Sequence, residues 1–252
     1  RKLAGGNRPW TGNGTHNTGD NGLAVDALFS NLAGLAVDPD GSVYVSANIA
    51  GSSGGLAGQR IRRIRTDGTI DSIAGDTGNF FSVGEEEGGL ASVACMYNPA
   101  GLSIAAEGSL LVAQGTGGGA EFVQRISAVD PGGIASGFLS RFIGGGAFGS
   151  PALAEGMLRT TPMTFRTLRG IGAAPDGSFY FFAAIQEGLV ETLRIISVTP
   201  DDKVYFFAGG ASGPSSPAAS AKHITQTTSS KTQKTTHQPL LEVARSGPSA
   251  QP

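Results

Sequence analysis

Cysteine occurs once in 252 residues, as Cys95, which excludes an intrachain disulfide and a metal site built from cysteines. Its neighbours Val93, Ala94, Met96 and Tyr97 are apolar, so the thiol reads as a buried structural one. Charge is scarce as well. Asp, Glu, Lys and Arg make up 15% of the chain and the formal net charge is −2, which removes the electrostatic case for a nucleic-acid partner. The one basic cluster, Arg60-Ile61-Arg62-Arg63-Ile64-Arg65, alternates partly with apolar residues and reads as a strand. No run of about eighteen apolar residues exists, so no membrane span is expected. Histidine is limited to His16, His223 and His237, none on an expected strand, which leaves no histidine metal site. The chain opens on Arg1-Lys2-Leu3 and not on Met, which suits either a processed mature protein or a piece of a longer one.

Glycine is abundant, at 40 positions, and 39% of residues are hydrophobic. That balance favours many short strands joined by tight turns over helical bundles, and an all-β fold. Aligned on itself, the chain shows a period of about 67 residues, the step from Asn31 to Asn98, seen three times. The first copy runs from Asn31 through Gly34-Leu35-Ala36-Val37, a turn at Asp40-Gly41, and Val43-Tyr44-Val45-Ser46. The second runs from Asn98 through Gly101-Leu102-Ser103-Ile104 to Leu110-Leu111-Val112-Ala113; the third runs from Leu168 through Gly170-Ile171-Gly172-Ala173 and Asp176-Gly177 to Phe179-Tyr180-Phe181-Phe182. Each copy adds a second pair: Arg60 to Ile64 with Thr69 to Gly75, Val123 to Ser127 with Phe138 to Gly144, and Thr192 to Ile196 with Lys203 to Gly209. Four strands per repeat describe the blade of a β-propeller. The first strand of each copy is built of small residues, as a crowded axis requires, and the second carries bulk such as Tyr44, Tyr180 and Phe181.

The Asp-Gly pairs read as hairpin turns, Asp bonding to its own loop and Gly taking positive φ. A calcium reading of these carboxylates would need a denser acidic loop. Glu85-Glu86-Glu87 reads as a solvated connector.

The runs Gly34 to Tyr44, Arg60 to Ile64 and Thr69 to Gly75, preceded by Gly19-Asp20-Asn21-Gly22-Leu23-Ala24-Val25-Asp26, resemble the NHL repeat in its long bacterial and teneurin-like form. The resemblance covers about residues 3 to 210 and weakens from the first copy to the third. Ala33 stands where that family usually has Pro, and Ser46-Ala47 where it usually has Ala-Asp.

The expected organisation is an NHL-like propeller region over 1–210, with repeats at about 19–75, 84–145 and 149–210, then a Ser/Thr/Pro-rich extended tail over 211–252. Lys2-Leu3-Ala4-Gly5-Gly6 resembles the ends of the fourth strands, so Leu3 and Ala4 are expected in an extra N-terminal edge strand. Three repeats are too few to close a ring of roughly four to eight blades, so open blade faces favour association, above all with other copies of the chain. In the tail, Leu240, Leu241 and Val243 are the apolar anchors for docking as a strand on a neighbouring surface.

Functionally, the sequence holds no nucleophile elbow, phosphate loop or metalloprotease motif, so no catalytic residue, cofactor or metal ligand is assigned. Asn13-Gly14-Thr15 is a glycosylation sequon and, with the tail, points to covalent glycans and an extracellular or cell-surface setting. The resulting expectation is a non-catalytic propeller module for protein binding, adhesion or filament assembly. The alternatives are a propeller lyase or hydrolase with a channel metal site, and a cytosolic interaction scaffold.

Overall fold

The computed structural model describes residues 2–6, 18–29, 31–48, 59–75, 88–94, 96–115, 121–127, 137–146, 153–187 and 190–209. Asn13, His16, Glu85 to Glu87, Cys95, His223, His237 and the tail anchors Leu240, Leu241 and Val243 lie outside the described residues.

Each hairpin follows from its turn chemistry. Asp40 Oδ1 accepts the Ser42 N–H at 2.6 Å while Gly41 sits at φ +87°, a backbone conformation that a side chain would strain. Asp67 does the same for the Thr69 N–H at 2.8 Å, and Asp176 for Ser178 at 2.9 Å. The turn carboxylates are thus engaged within their own loops, and no group of three or more potential metal ligands gathers among the described residues.

These turns join three sheets of antiparallel strands. Blade I holds β1 (Gly22–Leu23), β2 (Asn31–Val37), β3 (Val43–Asn48), β4 (Arg60–Ile64) and β5 (Thr69–Ala74), in the order β1-β5-β4-β3-β2. Blade II is β6 (Leu102–Ile104), β7 (Leu110–Gln114), β8 (Phe122–Ile126) and β9 (Leu139–Gly144), and blade III is β10 (Thr167–Ala173), β11 (Phe179–Glu187), β12 (Val190–Val198) and β13 (Val204–Gly209). Blades II and III are four-strand meanders in sequence order. This is the four-stranded propeller blade expected from the repeat, and the basic cluster is the strand β4.

The extra N-terminal strand expected at Leu3 and Ala4 is not formed; the fifth strand of blade I is β1, inside the first repeat, paired with β5. Those two residues are coil. Gly5, at φ +96°, gives its N–H to Ala24 O at 2.8 Å, and Gly6 gives its own to Ala27 O at 2.6 Å, so the segment bonds to a turn and never forms a ladder. Ala4 packs beside Ala24, Ala27, Phe29, Val45, Ile64 and Ile70 on one face of blade I.

The cores lie between blades. Ala36, Tyr44, Ile61 and Ile73 of blade I meet Met96, Leu102, Leu110 and Ile126. Leu111, Val123, Phe142 and Ile143 of blade II meet Phe165, Phe179, Phe181 and Ile196. Strand alternation explains the division, since each strand sends one set of side chains to either neighbour. Phe142 stacks edge-on against Phe179 with centroids 4.9 Å apart, and Phe165 against Phe181 at 5.5 Å. All described residues fall in one unit, Arg1–Ala221; a second, Lys222–Pro252, lies outside them. No helix among the described residues is long and apolar enough to cross a membrane.

Candidate functional site

In a four-strand meander the start of the first strand, the end of the second and the start of the third share one rim. The Asp-Gly turns occupy the other. The connector rim gathers polar side chains at the seams between blades, where longer loops can shape a site.

At the seam of blades I and II, Gln59 leads into β4. Its amide oxygen accepts the Asn98 N–H, and its Nε2 donates to Asn98 Oδ1 at 3.3 Å. Asn98 has φ +41°, a conformation that Asn tolerates better than most residues, and its Nδ2 reaches Gly115 O at 3.1 Å. Deeper in, Gln114 at the end of β7 accepts the Tyr97 N–H at 2.7 Å and donates to Gln124 Oε1. Gln114 and Gln124 are both buried, so the belt is closed by its own hydrogen bonds.

At the seam of blades II and III the same position carries an acid. Glu121 leads into β8 as Gln59 leads into β4, and its Oε2 accepts the Leu168 N–H at the start of the axial strand β10. Glu121 is buried, and this burial raises its pKa above the usual carboxylate value. The Leu168 hydrogen bond and the Arg169 guanidinium pull the other way without cancelling the rise. Arg169 is exposed on β10 next to a register shift between Arg169 and Ile171. Such bulges re-aim side chains at the edges of sites. Gly115 leaves room for the carboxyl, because a Cβ there would sit 2.7 Å from Glu121 Oε1.

Gln59 and Glu121 therefore brace each blade against the next, and the amide shows that bracing does not require ionisation. A pH signature follows. Between the ordinary carboxylate pKa of 4.5 and its raised folded value, the folded chain holds a proton that the unfolded chain releases. Stability contributed by this group is therefore present at low pH and is lost as pH rises through that window. Glu121→Gln keeps an acceptor for Leu168 and should flatten this slope, with a urea midpoint at pH 7 equal to or above that of the parent. Identical pH slopes in the two proteins would sink the assignment. Glu121→Ala leaves the Leu168 N–H without its acceptor and should lower stability by about 1–3 kcal/mol in the same experiment.

Sequence reasoning missed Glu121, Gln59 and Arg169, because none belongs to a catalytic motif. The available signal was positional: the residue before the β4 and β8 strands is Gln in one copy and Glu in the next. Of the residues expected in advance, Leu3 and Ala4 lie outside any strand, with Ala4 packed against blade I.

No family model and no curated protein matches the sequence. Among solved structures, the chain is similar to a gluconolactonase from Xanthomonas campestris, with 14% identity over 72% of this chain and 48% of that one and a TM-score of 0.41. It is similar to a putative glucose dehydrogenase from Thermus thermophilus, with 18% identity over 69% and 46% of the two chains and a TM-score of 0.38. It is also similar to an aldose sugar dehydrogenase from Streptomyces coelicolor in its PQQ-bound form, with 17% identity over 75% and 50% and a TM-score of 0.39. The chain spans about half the length of these proteins. The expectation of a non-catalytic module, and of no enzyme, stands against these findings, since each of the three similar chains is described as an enzyme. At such identities the likeness is one of fold, and the chemistry of this chain is read from its own residues.

Proposed function

We propose that this chain is an NHL-type propeller enzyme whose connector rim carries out general acid catalysis, with Glu121 as proton donor and Arg169 as the cation beside the developing negative oxygen. The observation that carries the reading is the buried Glu121, whose pKa burial raises, at a position where blade I does the same structural work with a neutral Gln59. A carboxyl with a raised pKa can give its proton to a leaving oxygen while water adds to the carbon that oxygen departs from, and the proton released by that water restores the acid. Arg169, exposed on the adjacent axial strand, supplies positive charge. The NHL assignment rests on the Gly34 to Tyr44, Arg60 to Ile64 and Thr69 to Gly75 motifs.

Such a pair suits ester-like or acetal-like oxygens in small polar molecules. Sugar lactones and aldoses are the substrates to assay first, in keeping with the activities named for the similar structures. A metal-assisted route would need ligands beyond those gathered among the described residues.

The test is a hydrolysis assay over a panel of sugar lactones with Glu121→Gln and Gly115→Ala. Glu121→Gln should lower kcat by about 10²–10⁴-fold while the fold is kept. Gly115→Ala, which crowds Oε1, should lower it as well. For the parent, activity should fall as pH rises through the Glu121 pKa, because the protonated form is the working one. An unchanged kcat in Glu121→Gln would overturn the proposal.

A further inference from the structure

Strand pairing lays the three blades over one another. Leu35, Leu102 and Ile171 are counterparts, facing Val45, Val112 and Phe181, and ahead of them at the matching place on the inner strands stand Asn31, Asn98 and Thr167. In blades I and III that place is ordinary ladder: Asn31 pairs with Asn48 and Thr167 with Ala184. Asn98 is instead at φ +41° and outside β6, although it is the same residue type as Asn31. Residue type alone therefore does not impose the left-handed backbone, and such a conformation persists where the surroundings over-determine it.

Hydrogen bonds from both sides hold Asn98 there. Gln59 of blade I accepts its N–H and donates to its Oδ1, and Asn98 Nδ2 donates to Gly115 O at 3.1 Å. The Gly115 N–H goes to Tyr97 O at 3.0 Å, so Gly115 is tied to the 97–98 segment at both its donor and its acceptor. Gly115 is also where blade II departs from its fellows, because its counterparts Asn48 and Ala184 carry a Cβ. It does not take a positive φ, so its missing side chain serves space alone. Glu121 fills that space: a Cβ on Gly115 would lie 2.7 Å from Oε1 and 2.9 Å from the carboxyl carbon. The counterparts of Glu121 are Gln59 and Leu193, neither of them ionisable. The left-handed asparagine, the bare glycine and the acid thus occur together in blade II and in neither of the other blades.

Resting on Glu121 as the acid of the proposed reaction, we propose that Asn98 is its positioning residue: from the seam of blades I and II it holds Gly115 against Oε1, which fixes the carboxyl and limits the water beside it. Oε2 is committed to the Leu168 N–H of blade III, so Oε1 is the oxygen whose surroundings Asn98 sets. Glu121 is 9% exposed, and a small opening at Gly115 changes its solvation by a large fraction. The ionisable side chains on the elements around the carboxyl are Arg141 on β9, Arg166 and Arg169 at β10 and Tyr97 ahead of β6, and of these the Arg169 charge acts on it. All four stay in place in the variants below, so a change in the Glu121 titration reports on its solvation and not on a lost charge.

The test follows the Glu121 carboxyl by carbon NMR titration of the full chain, its signal identified by its loss in Glu121→Gln. Asn98→Gly takes φ +41° without strain and loses only side-chain bonds, so the fold is kept. Its Glu121 midpoint should fall toward 4.5 by about half a pH unit as water reaches Oε1. Gln59→Leu installs the residue type that blade III carries at that position and releases Asn98 from the other side; its midpoint should fall as well. Asn31→Gly, the same exchange at the counterpart in blade I, should leave the midpoint of the parent unchanged. Above both midpoints such a fall cuts the protonated fraction about threefold, so kcat on a sugar lactone should drop about threefold in Asn98→Gly with KM unchanged. The titration needs no substrate: a parent inactive on every lactone sinks the proposed reaction, and the midpoint still decides the role of Asn98. An Asn98→Gly chain that loses stability but titrates like the parent makes Asn98 a structural brace alone and overturns the proposal. So does a fall of equal size in Asn31→Gly.

Discussion

Asp20→Ala is expected to lower unfolding stability by about 3–5 kcal/mol, read as a fall in the urea midpoint with an unchanged m value. Arg62 on β4 is fully buried, and its guanidinium is held by Asp20 Oδ1 at 2.6 Å, Leu28 O at 2.8 Å and Thr18 O at 3.1 Å, with its charge 4.9 Å over the Phe29 ring. The other oxygen of Asp20 takes Arg60 at 2.9 Å and the Ser72 hydroxyl at 2.6 Å. One carboxylate is therefore shared by a pair of arginines beside blade I, and burial already depresses the Arg62 pKa. Removing the carboxylate leaves a buried cation without its counter-charge, which costs far more than losing an exposed ion pair. Asp20→Leu combined with Arg62→Met removes the stranded charge together with its partner and should recover most of the loss. A double variant as unstable as Asp20→Ala would show that packing, and not charge, decides the effect.

Gly34→Ala should destabilise the chain by about 1–3 kcal/mol or more, through overpacking at the junction of blades I and II. A Cβ at Gly34 would lie 1.9 Å from Ala100 O and 3.0 Å from Ser46 Oγ, the two atoms that hydrogen-bond across the junction. Backbone on one side and a committed hydroxyl on the other leave nothing flexible to give way. Gly172→Ala is the matched control: it sits on the inner strand of blade III, a Cβ there meets nothing within 4 Å, and its counterpart in blade I is already Ala36. Its effect should stay within about 0.5 kcal/mol. Equal losses in the two variants, measured by urea unfolding, would mean that strand propensity and not blade approach governs the position.

The repeat and its strands were legible because their causes are local. Period-two alternation, Asp-Gly turns and small residues ahead of bulky ones are each written within a few residues, and each copy repeats them. The same local reading failed at Leu3 and Ala4. Their likeness to a strand end was real in sequence, but Gly5 and Gly6 bond to Ala24 and Ala27, partners some twenty positions away that no short pattern encodes. The rim acid was illegible for a related reason. Glu121 looks like any polar residue before a strand until blade III covers it.

The sequence by itself determined an all-β chain of three four-stranded repeats, since hydrogen-bonding turns and alternation act over neighbouring residues. Only the tertiary structure decided which counterparts are buried and which are bare: Leu102 covered and Leu35 open, Glu121 buried and accepting the Leu168 N–H, and Leu193 facing outward. Burial and desolvation are set by what the next blade brings against a position, and that neighbour lies about one repeat away along the chain.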